Sequence, residues 1–112
     1  MAKPASPRLT FVRSDDETCI VVITSDAAGL VPVDITGRTY VMSIALFPGE
    51  TPVTSATGTV VGATGTVTFS FPEAKTVLLT GSLYWYDVVE TASGDESTII
   101  LAQLTVLTGV TA

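Results

Sequence analysis

Histidine is absent from this 112-residue chain, and cysteine occurs once, at Cys19. Without histidine there is no Ser-His-Asp or Cys-His catalysis and no imidazole-ligated metal. A single cysteine permits neither an intrachain disulfide nor a thiolate zinc site built from one chain. It lies in the apolar run Thr18-Cys19-Ile20-Val21-Val22-Ile23, with no neighbouring cation, and so reads as an inert core thiol. Charge is scarce at 14 %, and positive charge scarcer still: five Lys and Arg against eleven Asp and Glu give a net charge of −6. Nucleic acid is therefore not an expected partner, because duplex binding depends on many cations displacing counterions. No apolar run approaches the ~18–20 residues of a membrane span. The opening Met1-Ala2-Lys3-Pro4-Ala5-Ser6-Pro7 has no apolar core of a signal peptide, so synthesis in a cytosol is expected. With 46 % hydrophobic residues, the chain is too apolar for disorder and sized for one domain.

Thr, Val and Ile dominate what is present, and these β-branched residues favour strands over helices. Period-2 alternation follows. Val67, Phe69 and Phe71 alternate with Thr66, Thr68 and Ser70; Tyr40, Met42, Ile44 and Leu46 form one face of another strand; Leu83, Trp85 and Asp87 alternate with Tyr84, Tyr86 and Val88. Residues 9–12, 19–24 and 98–107 supply further strands, and the Thr-rich stretch 53–61 a weaker one. Turns are expected at Ser14-Asp15-Asp16, Asp26-Ala27-Ala28-Gly29, Pro32, Phe47-Pro48-Gly49, Gly62-Ala63-Thr64-Gly65 and Ala92-Ser93-Gly94-Asp95-Glu96. In Asp34-Ile35-Thr36-Gly37, the Asp34 and Thr36 side chains suit backbone capping, and Gly37 suits a positive φ. Pro72-Glu73-Ala74-Lys75-Thr76-Val77-Leu78-Leu79, closed by Gly81, reads as a short helix crossing between sheets. The expected fold is all-β: an immunoglobulin-like β-sandwich of about seven antiparallel strands with one short helical crossover. Residues 1–7 form a flexible arm and residues 8–112 the domain.

The order of these segments resembles a known family. Leu9-Thr10-Phe11-Val12-Arg13-Ser14-Asp15-Asp16, Asp34-Ile35-Thr36-Gly37-Arg38-Thr39-Tyr40, Gly65-Thr66-Val67-Thr68-Phe69-Ser70-Phe71 and Gly81-Ser82-Leu83-Tyr84-Trp85-Tyr86-Asp87-Val88 are similar to small immunoglobulin-like domains of tailed-bacteriophage virions. The N-terminal domain of baseplate upper proteins and tail-fibre adaptor modules share the layout, which spans residues 8 to 111 here. Ser14 stands where that pattern would have Gly. The resemblance implies a structural virion protein made in the host bacterial cytoplasm. It also implies a homo-oligomer, with a trimer favoured, that contacts other phage virion proteins.

Function is then expected to be assembly on the tail, baseplate or fibre, with capsid decoration the alternative and no enzyme activity or cofactor. Two stretches are the candidate interfaces: residues 53–61, with Val53, Thr57 and Val60, and residues 99–107, with Ile99, Leu101 and Leu104. Tyr84, Trp85 and Tyr86 are interface candidates too, but one face of their strand must be core, so either Trp85 or the tyrosine pair is buried. Asp87, on the Trp85 side, invites a salt bridge with Arg38 or Arg13, or is simply exposed. A second class of function is a host-glycan binding module, using Tyr40, Tyr84, Trp85, Tyr86 and Asp87 as stacking rings and a carboxylate. Asp87 and Glu90 do not suit glycosidase chemistry, since they lie on opposite faces of one strand. Asp15, Asp16, Glu17, Asp95 and Glu96 read as solvated turn acids, since no Asp-x-Asp-x-Asp-Gly calcium loop is present.

Overall fold

The computed structural model describes residues 8–13, 15–23 and 34–108. The arm at residues 1–7 and the turn expected at Asp26-Ala27-Ala28-Gly29 with Pro32 lie outside the described residues. The chain is all-β, with strands β1 (Leu9–Arg13), β2 (Glu17–Val22), β3 (Thr39–Ala45), β4 (Thr54–Thr57), β5 (Thr59–Val61), β6 (Thr66–Phe71), β7 (Leu83–Ala92) and β8 (Asp95–Thr108). A single helical turn, α1 (Glu73–Thr76), connects β6 to β7. One sheet has the order β1-β8-β7-β3-β4 and the other β2-β6-β5. All pairings are antiparallel except β1 with β8, which is parallel, a departure from the uniformly antiparallel expectation.

Turn chemistry explains the connections. Ser93 (φ 52°) and Gly94 (φ 84°) make a two-residue turn between β7 and β8, both with the positive φ that a type I′ hairpin demands. Pro48 and Gly49 (φ 83°) occupy the centre of a turn closed by the Glu50 N–H donating to the Phe47 carbonyl. Asp34 accepts from both the Thr36 N–H (3.0 Å) and the Thr36 hydroxyl (2.6 Å), and Gly37 follows with φ 83°. These two bonds hold the Asp34 carboxyl below its usual pKa. α1 is tied to the β1–β2 turn: Asp16 accepts the Glu73 N–H and the Thr76 hydroxyl donates to the Asp15 carbonyl, each at 2.7 Å.

The stretch 53–61 is two strands rather than one. β4 ends at Thr57 in the five-stranded sheet, and β5 starts at Thr59 in the three-stranded sheet. The switch occurs at Gly58, whose N–H donates to the Tyr40 carbonyl at 2.8 Å. A Cβ there would lie 2.3 Å from Val67 Cγ1 and 3.0 Å from the Phe69 ring, so only glycine lets the backbone turn this corner. Both sheets contribute to one core. Tyr40, Met42, Ile44, Tyr84, Tyr86 and Val88 come from the larger sheet, and Val21, Val67, Phe69 and Phe71 from the smaller.

Candidate functional site

The burial pattern sorts the interface candidates by strand face. On β7 the inward face carries Tyr84, Tyr86, Val88 and Glu90, all buried, and the outward face carries Trp85, Asp87 and Val89, half-buried. The tyrosine pair is therefore the core pair, and Tyr84 and Tyr86 offer no surface to a partner. Ile99 and Leu104 are also core residues, not contacts. Alternation alone cannot place Ile99 and Ile100 on one side. A bulge opposite Val88 and Val89 leaves Ile99 unpaired, so both isoleucines turn inward. Leu101 then points outward and is 46 % exposed. β8 is flanked by β7 from Asp95 to Thr105, and by β1 only from Leu104 to Thr108. In the other stretch, Val53 and Val60 are half-buried against the core, while Thr57 is exposed on edge strand β4. Edges of four and three residues at β4 and β5 are short templates for strand addition.

What remains is the outer face of the five-stranded sheet. Ser43, Asp87 and Leu101 stand side by side in one row, and Ala45, Trp85 and Gln103 in the next. The loop at residues 46–53 borders this face and exposes Leu46 and Phe47, the latter by 61 %. Between loop and sheet lies a hollow of about 30 Å³, lined by Ser43, Phe47, Glu50, Trp85, Asp87 and Leu101 among others. At ~4.8 Å between strands and ~3.3 Å per residue, five strands of about seven residues present roughly 550 Å² before the loop is added. The three-stranded sheet also exposes apolar side chains, Ile20, Val22 and Val61, but by the same measure spans only roughly 280 Å². A standard interface takes ~800 Å² per partner, so the larger face is the better match.

Asp87 is the electrostatic oddity of this face. Its carboxyl accepts the Ser43 backbone N–H, yet Oδ1 is shut off from solvent with no hydrogen-bond partner. Burial raises its pKa above the ordinary carboxylate value. The expected pairing of Asp87 with Arg38 or Arg13 is not formed. Arg38 instead lies 3.4 Å from Glu90, which shares the inward face of β7 and also accepts the Tyr40 hydroxyl at 2.5 Å. Strand parity is the reason: Tyr40 and Glu90 are register partners and both face in, whereas Asp87 faces out.

The turn acids serve the backbone: Asp16 caps α1, and Glu17 accepts the Val12 N–H at 2.6 Å. No group of three or more metal-type ligands occurs among the described residues. Cys19 is half-buried against the core, with its thiol pKa raised by burial. Tyr40, Tyr84 and Tyr86 are all buried, so of the residues proposed for sugar stacking only Trp85 and Asp87 reach the outer face. Sequence reasoning missed Glu50 altogether and read Phe47 only as part of the Phe47-Pro48-Gly49 turn that ends a strand. The signal was the Pro48-Gly49 turn, which folds this segment beside the sheet. Among the described residues no helix is long and apolar enough to cross a membrane. Compared with protein-family models and with curated proteins, the chain matches none.

Proposed function

We propose that this chain is an immunoglobulin-like assembly module of a tailed-bacteriophage particle, acting in the tail, baseplate or fibre, with capsid decoration the second placement in that class. The strand order supports the fold reading. β8-β7-β3-β4 and β2-β6-β5 follow the G-F-C-C′ and B-E-D orders of such sandwiches, with β1 lying beside the G position. Tyr84, near the start of β7, accepts the Gly81 N–H on its hydroxyl at 2.7 Å, in the manner of the tyrosine corner. The observation that carries the functional reading is the outer face of the five-stranded sheet. It leaves Leu101 and Val41 exposed on the outward side of their strands, and Phe47 exposed at its border beside the half-buried Trp85. Covering such a face with a neighbouring subunit is construction, not chemistry.

The test is to locate the chain in purified particles by tag labelling and imaging. It is expected at defined positions on the tail, baseplate or fibre; absence from the particle overturns the reading. Glycan binding is checked with Trp85, the sole tryptophan. Its emission should stay unchanged on adding host polysaccharide, and a saturable shift in a monomeric protein contradicts assembly as the role.

A further inference from the structure

β8 runs from Asp95 to Gln103 before β1 joins it at Leu104, and among the described residues no strand lies along that side of it. Two features fix which backbone groups face this edge. The Val106 N–H donates to the Ser82 carbonyl, beside β7, at 2.9 Å, so by alternation the N–H and C=O of Leu101 and Gln103 point away from β7. At the other end, the Ser93-Gly94 turn makes Ala92 and Asp95 the closing pair, so Glu96 points away as well. Lysine, proline and shortness blunt most edges, yet Asp95 to Gln103 carries no Lys, Arg, Pro or Gly. We propose that this edge pairs antiparallel with the same strand of a second copy, with Glu96 opposite Gln103 of that copy, joining two five-stranded sheets into one.

Charge and register select this occupant. The antiparallel pairing sets a carboxylate against an amide that donates to it, whereas a parallel one stacks Glu96 on Glu96. In this register each Ser93-Gly94 turn ends where β1 of the other copy begins, so the two do not collide. The twofold axis falls between Ile99 and Ile100, and the bulge at Ile99 interrupts the ladder only there. The chain's own residues 1–7 make a poorer cover: Pro4 and Pro7 have opposite parity, so a strand drawn from them turns one residue without an N–H towards β8. Two joined outer faces offer roughly 1,100 Å², above the ~800 Å² of a standard interface.

The experiment follows amide hydrogen exchange of the full chain, residue by residue, at the monomeric and dimeric ends of a dilution series. The Glu96, Leu101 and Gln103 amides are expected to exchange at least about tenfold more slowly in the dimer, as ladder amides do. Stacking of sheet faces leaves edge amides unbonded and does not produce this pattern. Light scattering on two variants reads the register. Gln103→Lys should tighten association, and Gln103→Glu weaken it, each by about two- to tenfold over the two symmetric pairs with Glu96. Glu96→Pro removes an edge N–H without touching a β7 bond and should weaken it too; the Gln103 variants serve if it does not fold. A chain that stays monomeric, edge amides equally fast at both ends, or edge amides already slow in the monomer under the chain's own residues overturns the proposal. So do Gln103→Lys and Gln103→Glu variants that associate alike. Leu101 belongs to both the edge and the outer face, so Leu101→Glu does not separate the two contacts. Assembly without protection of the edge amides leaves the outer-face reading standing and removes this one.

Discussion

A carboxylate with one oxygen cut off from both water and donors, as at Asp87, costs the isolated fold free energy whenever it is ionised. Its folded pKa is raised, so the native state keeps the proton to higher pH than the unfolded chain does. The native state therefore binds more protons just above pH 3.8, and stability falls as pH rises through that window. Denaturant unfolding of wild type and Asp87→Asn at pH 4 and pH 7 should show the variant gaining relative stability at the higher pH. An equal difference at both pH values contradicts the account. Glu90 is the opposite case, a buried carboxylate held by Tyr40 and Arg38. Tyr40→Phe removes the donor and leaves the acid in place, and should cost about 1–3 kcal/mol in chemical denaturation. Tyr86, buried and beside Cys19, has its pKa pushed up to about 12. The unfolded chain ionises first, near pH 10, so stability is expected to decline above that pH. The phenolate absorbance of Tyr86 should rise together with unfolding, not before it.

At the scale of elements, the strands that alternate cleanly were legible: β3, β6 and β7 follow period 2 with apolar residues inward. A turn was legible in Ala92-Ser93-Gly94-Asp95-Glu96, but as a bulged loop; the structure tightens it to Ser93 and Gly94, with Ala92 and Asp95 already paired. Two features were not. Residues 53–61 keep a Thr/Val character on both sides of Gly58, which alone marks the change of sheet locally; the constraint that requires it is the approach of Val67 and Phe69 from another strand. The bulge that buries Ile99 is invisible for a similar reason, because an unbroken apolar run fits either register. Gly58→Ala should therefore destabilise by about 1–3 kcal/mol through overpacking. Gly94→Ala meets nothing within 4 Å and should cost only about 1 kcal/mol, from φ 84° alone. Thermal melts of the two variants separate these causes, and equal losses would remove the special role assigned to the sheet switch.

For the whole molecule, the outer surface was the least legible part of the candidate site. The resemblance pointed to assembly, and alternation put Trp85 and Asp87 on one face. The hollow, however, needs β3, β7, β8 and the loop at residues 46–53 together, and only the sheet order shows that these meet. The central claim is that the chain works by burying the five-stranded outer face against a neighbour. Light scattering across a concentration series tests this most directly, comparing wild type with Leu101→Glu, a change on the open face and outside the core. The account predicts an oligomeric mass for wild type and the 11.6 kDa monomer for a folded Leu101→Glu. Wild type at monomer mass throughout, or a Leu101→Glu variant that assembles as well as wild type, would contradict it.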